Sequence, residues 1–225
     1  MIDDDLLELV EYRFPYPIAV ECRKLSTIEY AEKDEKRLKR LLQVAERTVH
    51  FLSFILLSDL LEHGRSGKLV VSKALQADFK QRFRGVSFGT SIHILRESIR
   101  TGEANGIEFF VREISELLAT EGDRSGGFFP SVNELVKLRN QLAHEKSKPN
   151  PAMLREFCES TEDHLNRILQ AVEFLASYNL LWVGEIQVNK QRWKAPQFRH
   201  KFSRVVGMSD IFKSMERDYP EYMDS

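Results

Sequence analysis

The chain has 225 residues, 42% of them hydrophobic and 30% charged, which bounds it to one domain with a sizeable core plus an appendage and excludes a disordered chain. Its 33 basic and 34 acidic residues leave a formal charge of −1, so any nucleic-acid surface has to be a local patch. Only two cysteines occur, Cys22 and Cys158, in no metal-ligand spacing, and they are expected as free, buried thiols of a reducing cytosol.

Residues 3–10 predict a short helix whose aspartates favour its positive end, and the Pro15 and Pro17 pair breaks it. The acidic start lacks the basic-then-apolar order of a signal peptide. Ser26-Thr27-Ile28-Glu29 has capping-box spacing and predicts the opening of the longest helix, which ends near His63-Gly64. Its first half is charged on most sides and its second half is apolar nearly all round, so it is expected to run from the surface into the middle of a bundle. The apolar run over residues 49–61 is interrupted by His50, Ser53, Ser58 and Asp59 and is shorter than a bilayer span, so a core helix and a cytoplasmic protein without membrane contact are expected. His50 reads as a satisfied core histidine.

Residues 72–83 predict a basic amphipathic helix, in which Lys73, Lys80 and Arg82, with Arg84 just beyond, interleave with Phe79 and Phe83. That set reads either as an RNA-backbone contact or as a solvated face over two core phenylalanines. Residues 87–100 and 106–119 predict two more helices, the second with Phe110, Ile114, Leu117 and Leu118 on its apolar side. Residues 121–130 read as a Gly-rich loop with Phe128 and Phe129 exposed. Ser131-Val132-Asn133-Glu134 is a second capping box and predicts a helix over 131–147, ended by Pro149 and Pro151. A last helix opens at Asn150-Pro151 and runs to about residue 178.

The composition then changes. Residues 180–188 and 197–206 are strand-like and separated by a polar turn. A lone hairpin is marginal in water, so these strands either pack on the bundle or begin a second domain. The expected division is a helical bundle over 1–178 and a hairpin tail over 179–225. Arg192, Lys194, Arg199, His200, Lys201 and Arg204, with Trp193 and Phe198, form a second basic-aromatic set.

Arg139-Asn140-Gln141-Leu142-Ala143-His144 concentrates the reactive groups of the chain. Asn140 and His144 are four apart and share one helix face. Val132, Leu135, Val136, Leu138, Leu142 and Ala143 define an apolar arc, with Asn140 and His144 off it and Arg139 inside it. A guanidinium in that arc is expected to pair or to extend its stem towards a site. An imidazole, an amide and a fixed cation suit phosphodiester chemistry without a metal. The bland alternative is two surface residues and a structural ion pair. No zinc spacing and no phosphate-binding glycine loop occurs, and no cofactor is expected.

An arginine followed by asparagine, three residues and a histidine, led by Glu134-Leu135-Val136-Lys137-Leu138 and trailed by Glu145, resembles the motif helix of the HEPN superfamily. The resemblance covers the helical part, about residues 1–178. It implies a mainly α, up-and-down helical bundle that forms a homodimer through helix 131–147, here with a C-terminal β-hairpin extension. It also implies a metal-independent endoribonuclease of a toxin–antitoxin or antiviral defence system, leaving a 2′,3′-cyclic phosphate, with an antitoxin or defence protein as partner. Carried over, His144 is a general acid or base, Arg139 holds the scissile phosphate and Asn140 orients either of them. The alternative is a non-catalytic HEPN-like module that binds RNA, nucleotide or a protein. In the branch paired with nucleotidyltransferase antitoxins a modified tyrosine lies two residues after the histidine; here that position is Lys146.

Overall fold

The computed structural model describes residues 2–65, 67, 69–73, 75–77, 87–119, 127–144, 149–207 and 212–219. These form a mainly helical bundle with a small antiparallel sheet at its C-terminal end. The helices are α1 (Asp4–Arg13), α2 (Tyr16–Leu25), α3 (Glu35–Arg65), α4 (Phe88–Ala104), α5 (Glu113–Ala119), α6 (Phe128–His144) and α7 (Pro151–Ala171). One continuous core of Leu, Ile, Val and Phe side chains lies between them. α3 is its axis, packing against α2, α4, α6 and α7.

Asp3 caps α1 by accepting the Leu6 amide at 3.0 Å. α1 ends at Arg13, just before the Pro15 and Pro17 pair, as expected, and the same prolines also start a helix: Pro15 is the N-cap of α2 and Pro17 sits in its first turn, where the missing N–H costs nothing. α2 buries Ile18, Ala19, Cys22 and Leu25. The expected capping box at residues 26–29 does not open the long helix. Ser26 ends α2, and its hydroxyl bonds to the Glu11 carboxylate. The cap of α3 is Asp34, whose Oδ1 accepts the Arg37 amide at 2.9 Å. α3 is long and apolar enough to cross a membrane by length and composition alone, but 56% of its most apolar window is buried inside the bundle, as for a core helix. Cys22 and Cys158 are buried free thiols, and burial pushes both upward from the ordinary thiol range, Cys158 to about 11. Both are therefore protonated and unreactive near neutrality.

Three further expectations are corrected. The helix predicted over 106–119 exists only from Glu113 onward, because Gly106 takes a positive φ of 64° and turns the chain; Phe110 is 76% exposed rather than part of a core face. Phe128 and Phe129 are not exposed loop residues. They are 1% and 0% exposed, meet edge to face at 5.2 Å, and lie in the first turn of α6. The second capping box therefore falls inside the helix, with Ser131 buried and its amide donating to the Gly127 carbonyl. Burying two phenylalanines outweighed the local capping signal. Residues 78–86, with Phe79, Lys80, Arg82, Phe83 and Arg84, and residues 121–126 and 145–148 lie outside the described set.

Gly102 on α4 meets the buried ring of Phe109, and an added Cβ would stand 2.1 Å from it. Overpacking of this kind costs about 1–3 kcal/mol, more than the ~1 kcal/mol alanine gains in a helix. Gly102→Ala should thus lower the urea midpoint of unfolding, and an unchanged or raised midpoint would mean that the ring moves aside freely.

The tail is a three-stranded sheet, not a hairpin: β1 (Leu181–Asn189), β2 (Gln197–Arg204) and β3 (Ser214–Tyr219), in that order. It is fastened to the bundle at its base. The Tyr16 amide donates to Val205 O, Gly207 N to Phe14 O at 2.8 Å, and Pro15 and Val206 form a β-bridge. Tyr16 also packs edge to face on Phe212 at 5.2 Å.

Candidate functional site

α6 is held by its first half. Val132 and Leu135 join Phe128 and Phe129 in the core. Arg96 of α4 lies over the Phe129 ring at 4.6 Å and donates to Asn133 Oδ1 at 3.2 Å. The second half rises to the surface: Val136, Leu138 and Leu142 are partly buried, while Ala143, expected in the apolar arc, is exposed. This leaves the last two turns of α6 at the surface with polar groups on them.

Those groups divide between two faces. Asn140 and His144 are exposed, and neither has a hydrogen-bond or ionic partner among the described residues. Arg139 is half-buried. At about 100° per residue it is turned some 100–140° away from both of them around the helix. The helix that carries it packs on α3, and its charge lowers the proton affinity of the His50 imidazole there.

His50 is not a sealed core histidine. It is half-buried, with its Nε2 3.9 Å from Glu46 Oε1, and Arg47 is its neighbour on the same helix. Burial pushes its proton affinity below that of an ordinary histidine; Glu46 pulls it back up, Arg47 and Arg139 lower it again, and a backbone hydrogen bond at Ser87 raises it. A groove of about 340 Å³, lined by Glu21, Arg40, Gln43, Glu46, Arg47 and His50, opens beside it. Sequence reading missed this neighbour of the motif. The available signal was the Glu-Arg-x-x-His spacing, which puts three ionisable groups on adjacent turns where α3 changes from charged to apolar.

The remaining candidates lie apart. Lys73 is exposed at the start of a short helical turn, where the Leu75 amide bonds to Ser72 Oγ. Lys80, Arg82 and Arg84 lie outside the described residues. On the sheet, Arg199 is paired with Asp218 at 2.9 and 3.4 Å, which takes up much of its charge. Arg192 lies 5.9 Å from the centre of the Trp193 ring, itself 94% exposed, and Lys194 is exposed beside them. His200 is buried edge-on to Tyr219. The sheet is fastened at the α1–α2 corner and α6 packs on α3, α4, α5 and α7, so the basic residues of the sheet do not form one patch with the motif.

A larger hollow of about 430 Å³, between α3 and the chain around Phe110 and Tyr178, is almost wholly apolar; its Asp59 is occupied by the Phe110 amide at 2.7 Å. Among the described residues no group of three or more His, Cys, Asp and Glu side chains is placed to hold a metal ion. The sequence matches no protein-family model, and comparisons with curated proteins and with solved structures return no match either.

Proposed function

We propose that the protein is a HEPN-like, metal-independent endoribonuclease of a toxin or antiviral defence system, acting as a homodimer through α6. The observation that carries this reading is the presentation of Asn140 and His144 at the exposed end of α6, without a partner among the described residues, with Arg139 next to Asn140 in the chain. Polar groups that no described residue engages are free to serve a substrate. Pairing two α6 helices would bring two sets of Arg139, Asn140 and His144 into one cleft.

RNA carries its own nucleophile. One His144 takes the proton of a 2′-hydroxyl as the 2′-oxygen attacks phosphorus. The P–O5′ bond breaks as the 2′-O–P bond forms, and the His144 of the second copy returns a proton to O5′. A guanidinium at the phosphate offsets the charge that builds on its free oxygens. Asn140 holds an imidazole or a phosphate oxygen in register. DNA lacks the 2′-hydroxyl and would be left intact.

The test is incubation of end-labelled RNA with the protein in EDTA, alongside a 2′-deoxy version of the same strand. Cleavage of the RNA alone, leaving cyclic-phosphate ends, is expected, together with a dimeric mass by sedimentation at tens of micromolar. A strictly monomeric mass at that concentration would remove the composite cleft. The second reading is a non-catalytic module that binds RNA, nucleotide or a protein, and the turning of Arg139 away from His144 favours it. In that case expression slows growth equally with or without His144, and charge reversal at Arg192 and Lys194 weakens binding.

A further inference from the structure

Trp193 stands where the fold has little use for it. Strands β1 and β2 end at the facing pair Asn189 and Gln197, and the turn between them closes with the Lys194 amide donating to the Gln191 carbonyl at 3.2 Å. Trp193 is the third residue of that four-residue turn and takes a φ of 72°, alone among the described residues other than glycine. Glycine or asparagine is the usual occupant of such a position, and a bulky side chain there is strained. The ring is 94% exposed and belongs to no core cluster. The group placed over it is the Arg192 guanidinium, 5.9 Å from its centre. A large ring held in water on a strained backbone adds little to folding and stands open to a ligand.

Its surroundings suit a polyanion that carries flat, hydrogen-bonding groups. Residues 189–197 are all exposed and include Lys190, Arg192 and Lys194 but no carboxylate. None of these three cations has an ionic or side-chain hydrogen-bond partner among the described residues. Beside the turn lies a hollow of about 540 Å³, within the usual size range of ligand sites, lined by the amides of Asn189, Gln191 and Gln197 together with Lys194 and Tyr219. The carboxylate in its wall, Asp218, is taken by Arg199 at 2.9 Å. A side-chain amide offers donor and acceptor in one plane, the pattern found on the edge of a nucleobase. A lipid surface presents no such edges, so the amides favour a strand of nucleic acid over a membrane.

We propose that the β1–β2 turn is a binding site for single-stranded nucleic acid. One base stacks on Trp193, a neighbouring base enters the amide-lined hollow, and Lys190, Arg192 and Lys194 meet the phosphates around them. A duplex keeps its base faces stacked inside, so the site takes an unpaired strand. β1 runs for nine residues from the end at which the sheet is fastened, which carries the turn roughly 25 Å out from that corner. The site is separate from Asn140 and His144 on α6 and does not rest on the ribonuclease reading. Should that reading hold as well, the turn grips the strand away from the point of cleavage.

The experiment titrates a short 2′-O-methyl RNA strand of mixed sequence, which cannot be cleaved through its 2′-oxygen, into the full-length protein while tryptophan emission is followed. A DNA strand of the same sequence runs beside it, and the tighter of the two names the strand. Stacking should quench the emission. The chain has two tryptophans, Trp182 and Trp193, so the quench should persist in Trp182→Phe and vanish in Trp193→Gly. Trp193→Gly should also weaken binding about tenfold or more, the worth of one stacked base. Because glycine accepts the positive φ, the same change should raise the urea midpoint, which separates loss of the ring from loss of the fold. Three phosphate contacts give a slope of about 2 for log Kd against log salt, and Arg192→Ala should lower it by about 0.7. A quench that survives Trp193→Gly, an affinity of that variant within twofold of the parent, or equal affinity for the strand annealed to its complement would each overturn the site. Phosphatidylserine vesicles that bind the protein when millimolar strand does not would make the turn a membrane contact instead. Failure of the cleavage assay with this binding intact would remove the ribonuclease and leave the turn as a strand-binding site.

Discussion

His144→Ala should lower the rate of RNA cleavage by about 10²–10⁴-fold, the usual worth of a general acid or base, with little change in stability. The two effects separate because the side chain is exposed in the last turn of α6 and has no partner among the described residues. Its truncation removes at most a weak interaction with the helix end, well under the stability of a domain. Arg139→Ala should also suppress cleavage. It has a second effect, because this side chain is half-buried and its charge lowers the proton affinity of His50. Arg139→Lys keeps the charge but loses the fork, and should recover little activity. Single-turnover cleavage in EDTA, with thermal melts of the same preparations, reads both quantities. A His144→Ala protein that cuts as fast as the parent would falsify the assigned role.

The largest expected stability effect lies elsewhere, at Glu162. This carboxylate is 0% exposed in α7, accepts from Arg37 Nε at 2.7 Å, and has Lys33 at 3.9 Å. Arg37 also donates to the Tyr30 carbonyl at 2.6 Å, tying the turn at Ile28–Tyr30 to the start of α3. Arg37→Met removes one partner and strands the other in the core, which costs about 3–5 kcal/mol. Against a typical total of about 5–15 kcal/mol this is a large fraction. The double change Arg37→Met with Glu162→Leu removes both charges and should regain much of the loss, since a buried pair gains little over a well-packed apolar one. Urea unfolding of the two variants and the parent decides it. A single variant as stable as the parent would mean that Lys33 alone compensates Glu162.

How much of this was legible depended on whether the signal was local. The apolar half of α3 and the Asn150-Pro151 start of α7 were written in period and cap, and both stand. α2 was hidden because Pro15 and Pro17 read equally well as a stop or as a start. The Ser-x-x-Glu spacing at Ser26 misled because serine serves a C-terminal turn as readily when a carboxylate such as Glu11 lies across from it. β3 reads Ser-Met-Glu-Arg-Asp-Tyr, with little strand propensity of its own; its pairing with Phe198, His200 and Phe202 of β2 makes it a strand. Within the candidate site, the exposure of Asn140 and His144 and the inward turn of Arg139 followed from helical geometry alone. The influence of the Arg139 charge on His50 joins residues far apart in the chain, and no single-segment pattern encodes it.

The backbone bonds at the α1–α2 corner bear on where the chain can be cut. Cleaving it after residue 178, at the apparent limit of the helices, would strip the Phe14 carbonyl and the Tyr16 amide of their partners Gly207 and Val205. It would also take Asn179 and Leu180 from the wall of the apolar hollow. Each bare backbone group at a shielded corner costs about 1–3 kcal/mol, and they fall where Pro15 sets the angle between the first two helices. The short, mostly exposed sheet therefore acts as a clasp on the opening turn of the bundle, and proteolytic trimming of the tail should loosen the amino-terminal helices first.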